Sequence, residues 1–360
     1  MNSNTYVAIM AGGIGSRFWP ASRTEKPKQF LDILGTGKTL IQATYDRFLK
    51  ICPKENIFIL THSDYIHLVK QQLPEITDIQ ILTEPARKNT APCIAYGAFK
   101  INKINPNANI IVAPSDHIIL NEDEFVRIAE QAIHFVANNN ALCTLGIRPT
   151  RPDTGYGYIQ YFEDPTAEGI HKVKTFTEKP KKEVAKQFIE SGDFLWNGGI
   201  FIWNVKSILY ALEKHLLEVY EAFMEAEPFM LTQKEHNAIE KAFVTCPSIS
   251  IDYGIMEKAD NVYTLPSSFG WSDLGTWASL YEEKEKDYLN NAVNGKNVVV
   301  YDSTNNIINV PQKKLVVIQG LENFIVVDTE DVLLICNKDE EQRIKEFTRD
   351  IKMNKGEKYL

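Results

Sequence analysis

YVAIMAGGIGSRFWP, residues 6–20, is the stretch from which the fold follows. Its first five residues are apolar and rich in β-formers, the pattern of a fully buried strand. Ala11 and three glycines, Gly12, Gly13 and Gly15, come next, then Ser16 and Arg17. Glycines directly after a strand let the backbone approach a ligand and aim N–H groups at an anion. Standing alone they would equally make a tight turn into a helix. They do not stand alone, because Lys28 follows in the run Lys26-Pro27-Lys28-Gln29-Phe30. A dinucleotide fingerprint would carry glycine where Arg17 stands, and a P-loop would carry Gly-Lys-Ser/Thr after four spacers; this loop has neither. What remains is a glycine loop with two permanent cations, Arg17 and Lys28, suited to neutralising a pyrophosphate that leaves a triphosphate.

Working outward, segments 57–61, 79–82 and 110–113 read as strands like 6–10, and 40–51, 66–73 and 91–104 carry apolar residues at helical spacing. This cadence predicts an α/β fold, a Rossmann-like and mostly parallel sheet covered on both faces. Ligands of such sheets bind beyond the carboxyl ends of the strands. After about residue 284 the pattern changes to short β segments at 297–301, 307–310, 314–319, 324–328 and 332–337. Their spacing predicts a small all-β, β-solenoid-like C-terminal domain closed by a helix over 340–352. The expected domains are therefore a catalytic one over 1–284 and a β-rich one over 285–360. No residue of the tail reads as catalytic, and its strand edges predict a homodimer through this domain.

A formal charge of -8 and 44% hydrophobic residues argue against nucleic acid or an anionic membrane as the main partner. The five cysteines are scattered, without zinc-site or disulfide spacing. With no signal-like segment and no apolar run long enough to span a bilayer, a cytoplasmic protein is expected.

The order glycine, glycine, any, glycine, any, arginine, then Pro27-Lys28, resembles the signature of sugar-nucleotide pyrophosphorylases. With Trp19-Pro20 and Lys28-Gln29-Phe30-Leu31 it is similar to the mannose-1-phosphate guanylyltransferases in particular. Motifs in that family's order run from Ala11 to Trp277. The resemblance implies Mg2+-dependent transfer of a guanylyl group from GTP to α-D-mannose 1-phosphate, giving GDP-mannose and pyrophosphate. It makes Arg17 and Lys28 the catalytic cations. Asp116, directly after a strand in Pro114-Ser115-Asp116-His117, is placed to hold magnesium, although it would equally suit a helix cap. Asp273, in Trp271-Ser272-Asp273-Leu274-Gly275, would be the second magnesium carboxylate by the family match, or else a turn residue.

The same match assigns nucleotide contacts to Ala11, Gly12, Gly13, Gly15, Ser16 and Ser115, and to Glu84, Asn89 and Thr90 beside the guanine. Lys88 stands where arginine is usual, and lysine cannot form arginine's planar fork. Sugar-phosphate contacts fall to Tyr156 and Gly157, to Glu178 and Lys179, to Asn197 and Gly199, and to Asp252. Plainer readings stand beside these: a surface Glu-Lys pair for Glu178-Lys179 and an Asn-Gly hairpin turn at Asn197-Gly198. Lys26 reads as a solvated lysine and His117 as structural. The chain is expected to end too early to hold a fused isomerase domain. Two other readings remain open: transfer to another hexose 1-phosphate from UTP or dTTP, and a non-catalytic sugar-nucleotide-binding subunit. The second would be expected to lack one of Arg17, Lys28, Asp116 and Asp273, and all four are present.

Overall fold

The computed structural model describes residues 3–360. Among them are the strands β1 (Thr5–Met10), β2 (Ile57–His62), β3 (Ile81–Glu84), β4 (Asn109–Pro114), β5 (Ile118–Ile119), β6 (Leu142–Ile147), β7 (Gly157–Ala167), β8 (Ile170–Glu178), β9 (Phe194–Asn204), β10 (Val262–Ser267) and β11 (Trp271–Ser272). The tail adds β12 (Ala292–Asn294), β13 (Val298–Tyr301), β14 (Ile307–Asn309), β15 (Val316–Gln319), β16 (Phe324–Asp328) and β17 (Leu333–Asn337). The helices are α1 (Leu40–Phe48), α2 (Ile66–Gln72), α3 (Thr90–Ile104), α4 (Glu122–Asn138), α5 (Lys182–Ser191), α6 (Val205–His215), α7 (Leu217–Ala226), α8 (Glu235–Thr245), α9 (Trp277–Glu283) and α10 (Ile344–Lys355). None of the described helices is long and apolar enough to cross a membrane.

The chain forms two compact units. One comprises the residues up to Gly12, Thr44–Ser115 and Ile119–Trp271. It holds a nine-stranded sheet in the order β3-β2-β1-β4-β9-β6-β10-β8-β7. The pairings leave seven strands running one way and only β8 and β9 the other, so the sheet is mostly parallel. Tyr6, Ala8, Phe58, Leu60, Ile110 and Val112 alternate onto one face, where they share a core with residues of α3, α6, α7 and α8. The intervening Val7, Ile9, Ile59 and Ile111 are also fully buried, which is why these strands read as continuous apolar runs.

Two local expectations are corrected. Ile79 is not in a strand. It lies in the short turn Asp78–Gln80 and is 54% exposed. The Thr77 and Gln80 side chains cap that turn, and the Gln80 amide donates to the carbonyls of Lys54 and Ile57 at 2.7 and 2.9 Å. β3 therefore begins at Ile81 and ends on Glu84. Asn197-Gly198, read above as an alternative hairpin turn, lies inside β9 between β4 and β6. Here glycine serves close approach, since a Cβ on Gly198 would lie 2.7 Å from the Leu145 carbonyl oxygen.

The other unit comprises Gly13–Ala43, Asp116–Ile118 and Ser272–Leu360. In it β12, β14 and β16 stack in parallel, with Ala292 against Ile307 and Ile307 against Ile325, while β13 stacks on β15. This is the expected solenoid, a small β-helix. Buried asparagines tie successive coils together: the Asn306 amide donates to Asn291 Oδ1 at 2.9 Å, and Asn291 in turn donates to the Ser303 carbonyl. Phe18 and Trp19 share a core with Trp277, Leu280, Ile307, Ile325 and Ile344, so the residues after the glycine loop fold with the tail. The terminal helix starts at Ile344, after a tight turn over Lys338–Arg343 that Asn337 caps.

Candidate active site

The unit that contains the β-helix also carries the residues read as catalytic. Gly15, Ser16, Arg17, Lys28, Asp116 and Asp273 line one cavity of about 260 Å3. Gly15 is left-handed at φ 66°, and a Cβ there would lie 2.6 Å from the Lys28 Cβ. Only glycine serves at this turn. It leads into the turn Ser16–Phe18, which presents Arg17. Arg17 makes no ion pair with any described residue, and its Nε is buried without a hydrogen-bond partner. Gly13 has open space around its Cα, and its carbonyl accepts from the buried Gln29 amide at 2.9 Å.

Lys28 is 3% exposed. Its ammonium donates to the carbonyls of Asp273 and Leu274 at 2.8 and 2.9 Å and pairs with Asp116 Oδ2 at 2.8 Å. Leu274 adopts φ 44°, a strained value for a branched residue, as it turns its carbonyl to that lysine. Burial by itself would raise Asp116, but the Lys28 and His117 charges and its hydrogen bonds outweigh burial and hold it below the usual carboxylate range. Asp273 Oδ1 accepts from the Gly275 amide at 2.9 Å, the turn role read from its spacing. Lys26 is exposed. In this cavity the sequence reading missed Lys345, which reaches it from α10 in the tail.

In the sheet unit, Ala11 and Ser115 follow the ends of β1 and β4 and are buried, their amides bonded to the Leu60 and Met10 carbonyls. Glu84 ends β3, and burial lifts its carboxyl to about 7, against smaller opposing effects of Cys93 and Arg87. A Cβ on Gly12 would come within 2.9 Å of Glu84 Oε1, so glycine leaves that carboxyl its space. Asn89 stands at φ 67° and caps α3 by accepting from the Thr90 amide. Thr90 Oγ1 accepts from the Ile251 amide at 2.9 Å, which joins this motif to the segment that carries Asp252. Lys88 spends its ammonium on the Cys246 carbonyl at 3.0 Å. Arg87, one position earlier and unremarked in the sequence, stacks on Tyr65 and reaches the Gly12 carbonyl at 3.4 Å. A guanidinium is thus present in this motif, displaced by one residue.

The residues read as sugar contacts gather in the same unit. The Asn197 amide donates to Asp252 Oδ1 at 2.7 Å, while Asn197 Oδ1 accepts from the Gly199 amide and Thr144 Oγ1. Asp252 opens a π-helical turn, Asp252–Met256, of a kind common at functional sites. Burial first, then the neighbouring Glu178 charge, raise its carboxyl to about 6. Glu178 pairs with Lys179, itself left-handed at φ 48°. A Cβ on Gly157 would lie 2.4 Å from Glu178 Oε2. Tyr156 is buried edge-on against Trp196 and Trp271, with its hydroxyl 3.4 Å from Arg151. Carboxylates, an amide and one ammonium make a lining suited to hydroxyls together with a phosphate.

Residues 6–290 match the nucleotidyl transferase family, and residues 296–350 match the mannose-P isomerase/GMP-like β-helix domain. The chain belongs to the nucleotidyl transferase family, among the mannose-1-phosphate guanylyltransferases. It is 36% identical to the mannose-1-phosphate guanylyltransferase of Salmonella muenchen over 351 residues, 96% of this chain and 73% of the relative. The alginate biosynthesis protein AlgA of Pseudomonas putida is 36% identical over 345 residues, 95% of this chain and 70% of that protein. Among solved structures, the mannose-1-phosphate geranyltransferase of Thermus thermophilus superposes with a TM-score of 0.87 at 29% identity, covering 97% of this chain and 99% of that one. As a nucleotidyl transferase, the chain is an enzyme of the class that the glycine loop and its cations pointed to.

Proposed function

We propose that this enzyme transfers the guanylyl group of GTP to α-D-mannose 1-phosphate, releasing pyrophosphate and GDP-mannose. The observation that carries the chemistry is the unpaired Arg17, its buried Nε without a partner, in one cavity with Lys28 and two carboxylates. An unpaired guanidinium beside backbone amides is what a departing pyrophosphate requires. A sugar-phosphate oxygen attacks the α-phosphorus in line, and the bond to the β-phosphate oxygen breaks. That nucleophile is already ionised, so no general base is needed and positioning with charge stabilisation carries the rate. Glu84 accepts from the guanine N1–H and amino group, and Asn197, Glu178 and Asp252 hold the sugar hydroxyls while Lys179 meets the sugar phosphate.

Asp116 and Asp273 fit a magnesium ion, because Mg2+ takes one or two carboxylates and completes its shell with phosphate oxygens and water. They line one cavity, and no third acid is required of the protein. When bound, the ion would neutralise charge between the reacting phosphates. Our reading keeps 1–284 as the stretch that supplies the catalytic residues and 285–360 as the β-rich domain, with Gly13–Ala43, Asp116–Ile118 and the residues from Ser272 packed in one unit with that domain, and a homodimer through it. A reducing, cytoplasmic setting is supported by the five cysteines, all free and buried.

The test is pyrophosphate release with each of the four nucleoside triphosphates, against mannose 1-phosphate and glucose 1-phosphate in turn, with and without EDTA. GTP with mannose 1-phosphate should give by far the fastest, metal-dependent release. A faster rate with UTP or dTTP and glucose 1-phosphate would overturn the substrate assignment.

A further inference from the structure

Helix α10 has two functional edges. Ile344, Phe347 and Ile351 pack into the core around Trp277 and Leu280. A quarter-turn away lie Lys345, Thr348, Arg349 and Lys352, at the i, i+3, i+4 and i+7 spacing that makes one helical row. This row lines a second cavity of about 260 Å3 together with Ser16, Ser22 and Arg23. Ser16 and Lys345 line both this cavity and the one that holds Arg17, Lys28, Asp116 and Asp273. The two spaces therefore adjoin at the tip of the glycine loop.

The cations around the second cavity are not equivalent. Arg23 is held by both carboxylate oxygens of Asp331, at 2.9 and 2.5 Å, and Lys352 pairs with Glu357 at 2.6 Å. Arg349 makes no hydrogen bond or ion pair with any described residue. One guanidinium is thus left uncommitted four residues along the helix from a lysine that already faces the transferase cavity.

We propose that Lys345 and Arg349 form a subsite for inorganic pyrophosphate that continues the transferase cavity, receiving the leaving group as it parts from Arg17. This deepens the proposed reaction and rests on it for the identity of the anion. It gives the β-helix domain a direct part in substrate binding, with its terminal helix supplying charge that the glycine loop lacks. Two tethered cations on one helix face match a dianionic or trianionic ligand better than a monoanion.

The experiment measures the reverse reaction, GDP-mannose plus pyrophosphate, for the wild type and for Lys345→Ala, Arg349→Ala, the double variant and Lys345→Arg. The double variant should raise the KM for pyrophosphate about tenfold, leave the KM for GDP-mannose within twofold, and keep the wild-type melting temperature. Lys345→Arg should restore most of the loss. An unchanged pyrophosphate KM in the double variant, or a parallel rise for both substrates, would overturn the subsite. If the wild type does not turn over GDP-mannose at all, the substrate reading fails instead. Calorimetric binding of inorganic pyrophosphate to wild type and double variant then decides the subsite separately, with equal affinities rejecting it.

Discussion

Lys28 Nζ lies 2.8 Å from Asp116 Oδ2 and donates to the Asp273 carbonyl at 2.8 Å, so one buried ammonium ties down the segments bearing both candidate magnesium carboxylates. Its third proton goes to the strained Leu274 carbonyl at 2.9 Å. Lys28 and Arg17 share a cavity but not a condition. The lysine is fully committed to the protein, while the arginine is uncommitted.

Lys28→Ala should therefore damage both stability and activity. It leaves a half-buried carboxylate unpaired and two carbonyls without a donor, a loss of about 3 to 5 kcal/mol for a buried pair broken on one side. Urea unfolding should register that loss along with the collapse of pyrophosphate release. A variant that unfolds like the wild type would show that these contacts do not hold the loop.

Arg17→Ala makes the opposite contrast. No described residue depends on Arg17, so the melting temperature should stay within about two degrees while kcat/KM falls about 100- to 1,000-fold, the size expected for one lost charge-stabilising donor. Thermal unfolding and initial rates on one preparation check it. A stability loss comparable to that of Lys28→Ala would contradict the assignment.

Glu84 sets a pH dependence. Its carboxyl titrates near 7 in the fold and near 4.5 when exposed. Below about pH 4.5 both states are protonated and burial carries no ionisation penalty. Between 4.5 and 7 the unfolded chain ionises first, so this group's contribution to stability falls as pH rises, and it is fully lost above 7. Glu84→Gln should gain on the wild type by up to about 3 kcal/mol at pH 8 and by almost nothing at pH 4. Denaturant titrations at the two pH values measure it, and an equal difference at both would refute it. The ionised form is the better acceptor for guanine, so the wild-type KM for GTP should drop as pH rises through 7, and the glutamine variant should lose that inflection.

Gly157→Ala tests the sugar cluster. The new methyl would start 2.4 Å from Glu178 Oε2 and must displace that side chain. That oxygen is the free end of a flexible side chain, so the carboxylate swings aside at little cost to the fold but leaves its place in the cluster, which should raise the KM for mannose 1-phosphate about tenfold, the scale of one lost charged hydrogen bond, with the KM for GTP little changed. Initial rates at varied sugar phosphate decide it, and an equal rise in both KM values would place Glu178 outside the sugar contact.

Much of this was legible in the sequence because the relevant forces are local. A continuous apolar strand running straight into Gly12, Gly13 and Gly15 admits few conformations, and the change from an α/β cadence to short β segments announced a mostly parallel sheet and a stacked β-helix. Asp116 was readable for the same reason, being the second residue beyond β4. Ile79 was misread because an apolar residue looks like strand until the Gln80 amide is seen to bond two distant carbonyls. The alternative of a turn at Asn197-Gly198 stayed open until β9 was seen inserted between β4 and β6, where glycine is needed for a close neighbour rather than for a bend.

By itself, then, the sequence determined the elements around the glycine loop and in the tail, the fold class, the family and the identity of the charged residues at strand ends, most of which depend on backbone geometry over a few residues. Only the tertiary structure decided which of those charges is free. Whether Lys28 is spent on Asp116, whether Arg17 stays unpaired, whether Lys88 turns to Cys246 and whether Lys345 comes to the glycine loop all depend on partners far off along the chain. The energy of an ion depends on its neighbours and its distance from water, and neither is written along the chain.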